Sequence, residues 1–254
     1  MTIGSVKWRV LNYGFKATFK YLLFDKSPLR ISKRNLSANV KLNNLEISII
    51  DEDLLAFKDN FLLKTTNQIK LNKSKNAIKM SGNIADESVN RFLAIAYVIK
   101  KYTPDIFLES GTQHGLTALF AQELAKFLNL STKVFSYDVT DELWKLDGDY
   151  TKIILSRPTR KSFLKHLKII KNQYQSKKIV FFHDSDHSYE NMKFELTQVS
   201  KILDPIVIIS DDISGNNSFR ETFSNNLYKA YKVSFDNGPT VGIAINLISD
   251  PDGT

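Results

Sequence analysis

Four short apolar runs, each stopping at or just before an acidic residue, constrain this chain more than any other feature. They are Asp105–Glu109 (DIFLE), Val134–Tyr137 before Asp138, Ile179–Phe182 (IVFF) before His183-Asp184, and Ile206–Ile209 (IVII) before Ser210 and Asp211-Asp212. A run of four or five residues without polar alternation is the pattern of a strand covered on both faces. A fifth run, Lys152–Leu155, fits the same series. Between the runs lie segments of helical period: about Glu87–Lys101, capped by Asp86, then Leu116–Leu128, Arg160–Gln173, Tyr189–Leu203 and a shorter one at Phe219–Asn226. Strands alternating with helices predict an α/β fold with a mostly parallel sheet and helices on both faces. Lys229–Phe235 and Val241–Leu247, flanking Asn237-Gly238-Pro239, predict a closing antiparallel hairpin. In open sheets of this kind ligands bind beyond the carboxyl ends of the strands, and Glu109, Asp138, Asp184, Asp211 and Asp212 all fall there.

The first strand runs into Glu109-Ser110-Gly111-Thr112-Gln113-His114-Gly115. Gly111 permits a tight turn and close approach of a ligand, and Gly115 opens the next helix without a side chain to block contact. The three-glycine dinucleotide pattern is absent. An acid before the first glycine favours a ligand with a positive end, such as the amino group of S-adenosylmethionine (SAM), over a pyrophosphate. Asp138, 27 positions after Gly111, ends the second strand, where an acid can accept hydrogen bonds from both ribose hydroxyls of an adenosine. Its alternative role is to cap the following DELW segment.

The acids of the later strands suggest a second function. Asp184, Asp211 and Asp212 at neighbouring strand ends would repel one another unless a cation binds. Oxygen ligands suit Mg²⁺, Mn²⁺ or Ca²⁺. The alternative is that some of them cap helices. His187, three residues after Asp184, is placed to take a proton from a hydroxyl held at that site, because imidazole titrates near neutrality. His114, His166 and His183 are read as structural or surface residues.

DIFLESGTQHGLTALFAQELA resembles the first motif of class I SAM-dependent methyltransferases. IVFFHDSDHSYENMKFEL followed by IVIISDDI resembles the branch that holds metal-dependent macrolide-sugar O-methyltransferases and cephalosporin-hydroxylase-like proteins. The resemblance covers about residues 83–247, and its DxDHSYE run is the most specific part. It implies a Rossmann-like seven-stranded sheet and SAM as methyl donor. It implies that Glu109, Gly111, Thr112, Gln113 and Gly115 surround the methionine part while Asp138 holds the ribose. It further implies that Asp184, Asp211 and Asp212 hold Mg²⁺ and that His187 acts as base with Asp184 beside it. Two stretches depart from the pattern: Leu203-Asp204-Pro205 stands where a Pro-Gly-Gly turn is usual, and Arg157-Pro158-Thr159 replaces the expected glycine and acid.

The expected function is therefore SAM-dependent O-methyl transfer, assisted by a divalent metal, to a hydroxyl of a sugar, glycan or natural product. Two alternatives belong to other classes: a nucleic-acid methyltransferase, or a non-catalytic binding protein that keeps the SAM fold. A metallo-β-lactamase-like hydrolase, suggested by HxxDH at 183–187, lacks the further downstream histidines that such a site needs. The nucleic-acid reading draws on charge. The net charge is +8, yet residues 1–80 hold 15 Lys+Arg against 6 Asp+Glu, and residues 81–254 hold 20 against 21. The basic excess thus belongs to a predicted N-terminal extension (1–80), outside the predicted methyltransferase domain (81–254). The catalytic stretch also lacks the Asn/Asp-Pro-Pro-aromatic run of base-amino methylases.

Within the extension, residues 6–24 read as a basic amphipathic helix with Trp8, Leu11, Phe15, Phe19 and Leu22 on one face. That face suits a peripheral membrane contact, the main domain or a second subunit, and a homo-oligomer is expected. Segments 45–50 and 61–64 read as short strands, and 65–81 as a polar loop. The chain has no cysteine, which excludes disulfides and thiolate chemistry and fits a reducing, cytoplasmic compartment. No run of 18 apolar residues and no secretory leader pattern is evident.

Overall fold

The structure, a computed structural model, describes residues 43–44, 52–71, 89–139, 148–154, 160–224, 227–233 and 240–249. All of these lie in one compact unit, residues 42–254. The predicted helix 6–24, the strand 45–50, the Arg157-Pro158-Thr159 loop and the Asn237-Gly238-Pro239 turn fall outside the described residues.

Eight strands and six helices are described. In chain order they are β1 (Asn43–Asn44), α1 (Glu52–Leu71), α2 (Val89–Tyr102), β2 (Ile106–Ser110), α3 (Leu116–Phe127), β3 (Lys133–Asp138) and β4 (Thr151–Ile154). There follow α4 (Arg160–Gln173), β5 (Ile179–His183), α5 (Tyr189–Ile202), β6 (Val207–Ser210), α6 (Ser218–Thr222), β7 (Tyr228–Val233) and β8 (Val241–Asn246). One sheet carries all the strands in the order β1-β7-β8-β6-β5-β2-β3-β4. Strands β2 to β6 are parallel neighbours, and β8 enters antiparallel between β6 and β7. The seven expected strands are β2–β8, and the two-residue β1 adds an edge beside β7.

The continuous apolar runs are explained by two cores. Phe107, Val180, Phe182, Val207, Ile209, Ile243 and Ile245 face one side, where α1, α2 and α3 pack. Ile106, Leu108, Ile179, Phe181, Ile208 and Ala244 face the other, where α4, α5 and α6 pack. Each strand alternates between two apolar layers, so neither parity needs polar residues.

Two expectations are corrected. Residues 61–64 form part of α1 and not a strand, and residues 65–71 continue that helix instead of a loop. The reason lies in a longer period than a four-residue run reveals: Leu54, Lys58, Phe61 and Thr65 are buried at spacings of four, three and four. Phe61 sits edge-on to Phe120 at 5.1 Å between ring centroids, which fixes α1 on α3. The turn before β6 needs no glycine, because Asp204 itself adopts φ 50°. Aspartate tolerates the left-handed region, and its carboxylate accepts a 2.8 Å bond from the Asn246 amide on β8.

Candidate active site

The chain passes from β2 outward to β3 and β4, then returns to β5 on the other side of β2. The carboxyl ends of β2 and β5 therefore border a crevice where the strand order reverses, the position at which doubly wound sheets bind ligands. The strand ends are stitched together. The Asp184 amide donates to the Ser110 carbonyl at 2.8 Å, and the Asp211 amide donates to the His183 carbonyl at 2.9 Å.

The β2–α3 turn forms one wall. Gly111 has φ 101°, and a Cβ there would collide with the Asp184 carbonyl. Gly115 has φ 81°, and a Cβ there would collide with the Tyr150 hydroxyl. Both glycines are required by backbone conformation and by close approach. The Gly111 and Thr112 amides donate to the Tyr137 carbonyl, which ties the turn to β3. Glu109 is 1% exposed. It accepts a 2.5 Å hydrogen bond from the Ser136 hydroxyl, which in turn is 2.5 Å from the Thr112 hydroxyl. The three side chains form one buried chain of hydrogen bonds from Glu109 through Ser136 to Thr112. Burial pushes the Glu109 carboxyl up to about 8, against the hydrogen bond from Ser136. Asp138 lies beside the turn, and its carboxylate accepts the Gln113 and Val139 amides, each at 2.6 Å. Gln113 holds φ 45°, which aims its N–H at Asp138.

The opposite wall gathers Asp184, His187 and Asp211, whose ligand atoms all lie within 4.8 Å of one another. Asp212 follows Asp211 with φ 43°, and its carboxylate accepts a 2.7 Å bond from the Ser214 hydroxyl. His187 Nε2 is 3.5 Å from Asp184 Oδ1. Burial lowers the basicity of His187, but the carboxylates of Asp184, Asp211 and Asp212 outweigh it and hold the imidazole above its ordinary value. Nδ1 of the same ring is buried without a hydrogen-bond partner. His183 is fully buried, and desolvation pulls it down to about 3, so it stays neutral in the structural role expected of it.

Two residues of this region escaped the sequence reading. Arg91, on the first turn of α2, forks across the acid pair, with one guanidinium nitrogen 2.8 Å from Asp184 Oδ2 and the other 2.5 Å from Asp211 Oδ2. Its signal was its place on the inward stripe Arg91, Ile95, Val98, Tyr102, whose other members are all buried. Glu195 of α5 lies on the stripe Met192, Glu195, Leu196, Val199, where an acid is out of place unless satisfied. It accepts from Ser110 at 2.7 Å, Ser185 at 3.0 Å and Asn191 at 3.0 Å. Ser110 follows Glu109, and Ser185 follows Asp184, so this carboxylate pins both walls from below. Glu195→Ala is expected to destabilise the fold by about 2–4 kcal/mol, because several buried donors lose their acceptor, while Glu195→Gln costs less. A urea transition whose midpoint falls at constant slope checks this.

The residues present suit the groups that the sequence implied. For a divalent cation the observation is the donor set Asp184, His187 and Asp211, converging at one strand end with Asp212 adjacent. For the SAM amino group it is a buried carboxyl, Glu109, beside a turn in which two positions exclude a Cβ.

Among solved structures, the chain is similar to CmcI in a form described as Mg-SAM (14% identity, 50% of this chain, 54% of that chain, TM-score 0.39). It is also similar to an apo TDP-rhamnose 3'-O-methyltransferase of calicheamicin biosynthesis (13% identity, 72% of this chain, 93% of that chain, TM-score 0.46). A third is an O-methyltransferase from Bacillus cereus in complex with SAH (14% identity, 79% of this chain, 94% of that chain, TM-score 0.44). The chain spans about half the length of the CmcI structures it matches. No curated protein matches it in sequence. The model of the rhamnosyl O-methyltransferase/CmcI family matches residues 76–229, more than half of the sequence and the whole of both walls, and the chain belongs to that family.

Proposed function

We propose that this chain is a SAM-dependent O-methyltransferase that uses a divalent cation and methylates a hydroxyl of a sugar, glycan or natural product. The observation that carries this reading is the pairing of two unlike walls across the β2–β5 crevice. Glu109, Gly111 and Asp138 form one, and Asp184, His187 and Asp211 form the other.

Glu109 is the acceptor for the SAM amino group, Thr112, Gln113 and Gly115 shape the surrounding turn, and Asp138 is the acceptor for the ribose hydroxyls. When bound, SAM supplies an electrophilic methyl carbon, and a divalent cation lowers the pKa of the acceptor hydroxyl and fixes its oxygen. Asp184 and Asp211 would hold that cation, with Asp212 next in line. In its neutral form His187 takes the hydroxyl proton as the oxygen attacks, and Asp184, 3.5 Å from Nε2, orients the ring. The rest of the rate comes from holding oxygen and methyl in line.

The elevated Glu109 pKa gives a sign-definite prediction. Free Glu109 is largely protonated at pH 6.5–7, because its folded value is about 8. Pairing with an ammonium requires the carboxylate, so SAM binding releases a proton there. An α-amino group titrates at about 8, so above pH 9 the ligand takes up a proton instead. Affinity therefore peaks near pH 8 and falls on both sides. Calorimetry in two buffers of different ionisation enthalpy reads the proton count directly. The same count at pH 6.5 and pH 9 would remove Glu109 from this role.

Family membership is the support for a sugar-class acceptor. Transfer of a labelled methyl from SAM across nucleotide sugars, glycolipids and glycosylated natural products tests it. Methylation of tRNA or DNA and of none of these would favour the nucleic-acid alternative. A cytoplasmic location belongs to the same reading. The absence of cysteine supports it, and no helix among the described residues is long and apolar enough to cross a membrane.

A further inference from the structure

We propose that Arg91 is a built-in counter-cation that competes with the divalent metal for Asp184 and Asp211, so that metal binds only when Arg91 withdraws. This inference rests on the reading of that acid pair as a metal site.

The geometry sets the two cations against each other. Asp184 has both oxygens engaged, Oδ2 by Arg91 at 2.8 Å and Oδ1 by His187 at 3.5 Å. Asp211 Oδ2 receives the other arm of the same guanidinium at 2.5 Å. The two aspartates are thus bridged by one planar cation, through one oxygen of each. A Mg²⁺ ion demands oxygens at about 2.0–2.1 Å in near-octahedral array. A second cation placed against a guanidinium already seated on both carboxylates meets like-charge repulsion in a poorly solvated site, where such repulsion is strong.

Position supports a movable role. Arg91 reaches across 120 residues of sequence, from the first turn of α2, to strand ends that are fixed by backbone hydrogen bonds. The aspartate backbones are therefore fixed, and the long arginine side chain is the part able to leave. Its side chain is 20% exposed, and the guanidinium Nε is buried without a hydrogen-bond partner, so the fork is held only through its two terminal nitrogens. Arginine cannot lose its charge by deprotonation, so the exchange is a displacement and not a titration. Without metal, Arg91 neutralises two acids that would otherwise repel each other. With metal, its removal is the cost of loading, and the apparent metal affinity falls in proportion to the fraction of molecules with Arg91 withdrawn.

The test uses metal-free full-length protein and Mn²⁺, with free Mn²⁺ followed by electron paramagnetic resonance and no substrate present. If Arg91 occupies the site in nine molecules of ten or more, Arg91→Gln binds Mn²⁺ at least about tenfold more tightly than the wild type. Equal, measurable affinities in the two proteins overturn the competition and leave the metal site standing. Mn²⁺ bound by neither overturns both. Because Arg91→Gln risks destabilising the fold, the wild type gives an independent readout. Phenylglyoxal labelling of Arg91, mapped by mass spectrometry, is expected to rise several-fold when Mn²⁺ is added. Labelling that stays constant at saturating Mn²⁺ overturns the proposal.

Discussion

Asp184→Ala is expected to lower methyl transfer by roughly 10²–10⁴-fold, the range for loss of a positioned acid–base partner, while SAM still binds. The side chain has two tasks here: it is the shared partner of Arg91 and His187, and with Asp211 it is one of the two acids proposed to hold the cation. Its backbone, by contrast, packs on Gly111 and pairs with Ser110, and those contacts survive the substitution. Removing the carboxylate leaves the Arg91 charge with Asp211 alone, which costs about 1–3 kcal/mol of stability. Asp184→Asn should spare most of that stability and still lose turnover. Steady-state transfer from labelled SAM, paired with a SAM titration of the same protein, separates the two effects. Near-wild-type turnover in Asp184→Asn would take this residue out of the reaction.

Gly111→Ala is expected to be the most damaging single methyl group in the crevice. Its φ of 101° is strained for any L side chain, and the added Cβ would overlap the Asp184 carbonyl and crowd the Ser185 amide. Backbone strain and overpacking each cost about 1–3 kcal/mol. Neither neighbour can yield cheaply, because Asp184 is hydrogen-bonded to Ser110 and Ser185 to Glu195. The alternative to unfolding is separation of the β2 and β5 ends, which would pull Glu109 from Asp184 and weaken SAM binding. Thermal denaturation together with SAM titration should show loss in both. A variant as stable as the wild type, with unchanged SAM affinity, would mean that the turn is not built as described.

The parts of the molecule legible from sequence were those set by local pattern. Ile179–Phe182 and Ile206–Ile209 announced buried parallel strands because both parities of each strand face an apolar layer. Gly111 and Asp138 were legible because a turn and a strand end carry their own residue requirements. The structure adds the Gln113 amide bonded to Asp138, which joins the two. Pairings between distant elements were not legible. Nothing near Arg91 says that it will meet Asp184 and Asp211, since that contact exists only once α2 is laid over the strand ends. Glu195 was hidden similarly, although an acid on an otherwise apolar stripe is a signal that a stricter reading of α5 would catch. The 61–64 segment failed for a different reason: four residues are too few to distinguish a strand from one turn of a helix whose period shows only across 54–65.

SAM in the crevice between Glu109 and Asp138 is the claim on which the rest stands, and a calorimetric SAM titration of the wild type and of Glu109→Ala tests it most directly. The account predicts one SAM per wild-type chain and a loss of affinity of roughly 10- to 100-fold in Glu109→Ala, the worth of a hydrogen bond to a charged group. Absence of SAM binding to the wild type, or the same affinity in both proteins, would contradict it.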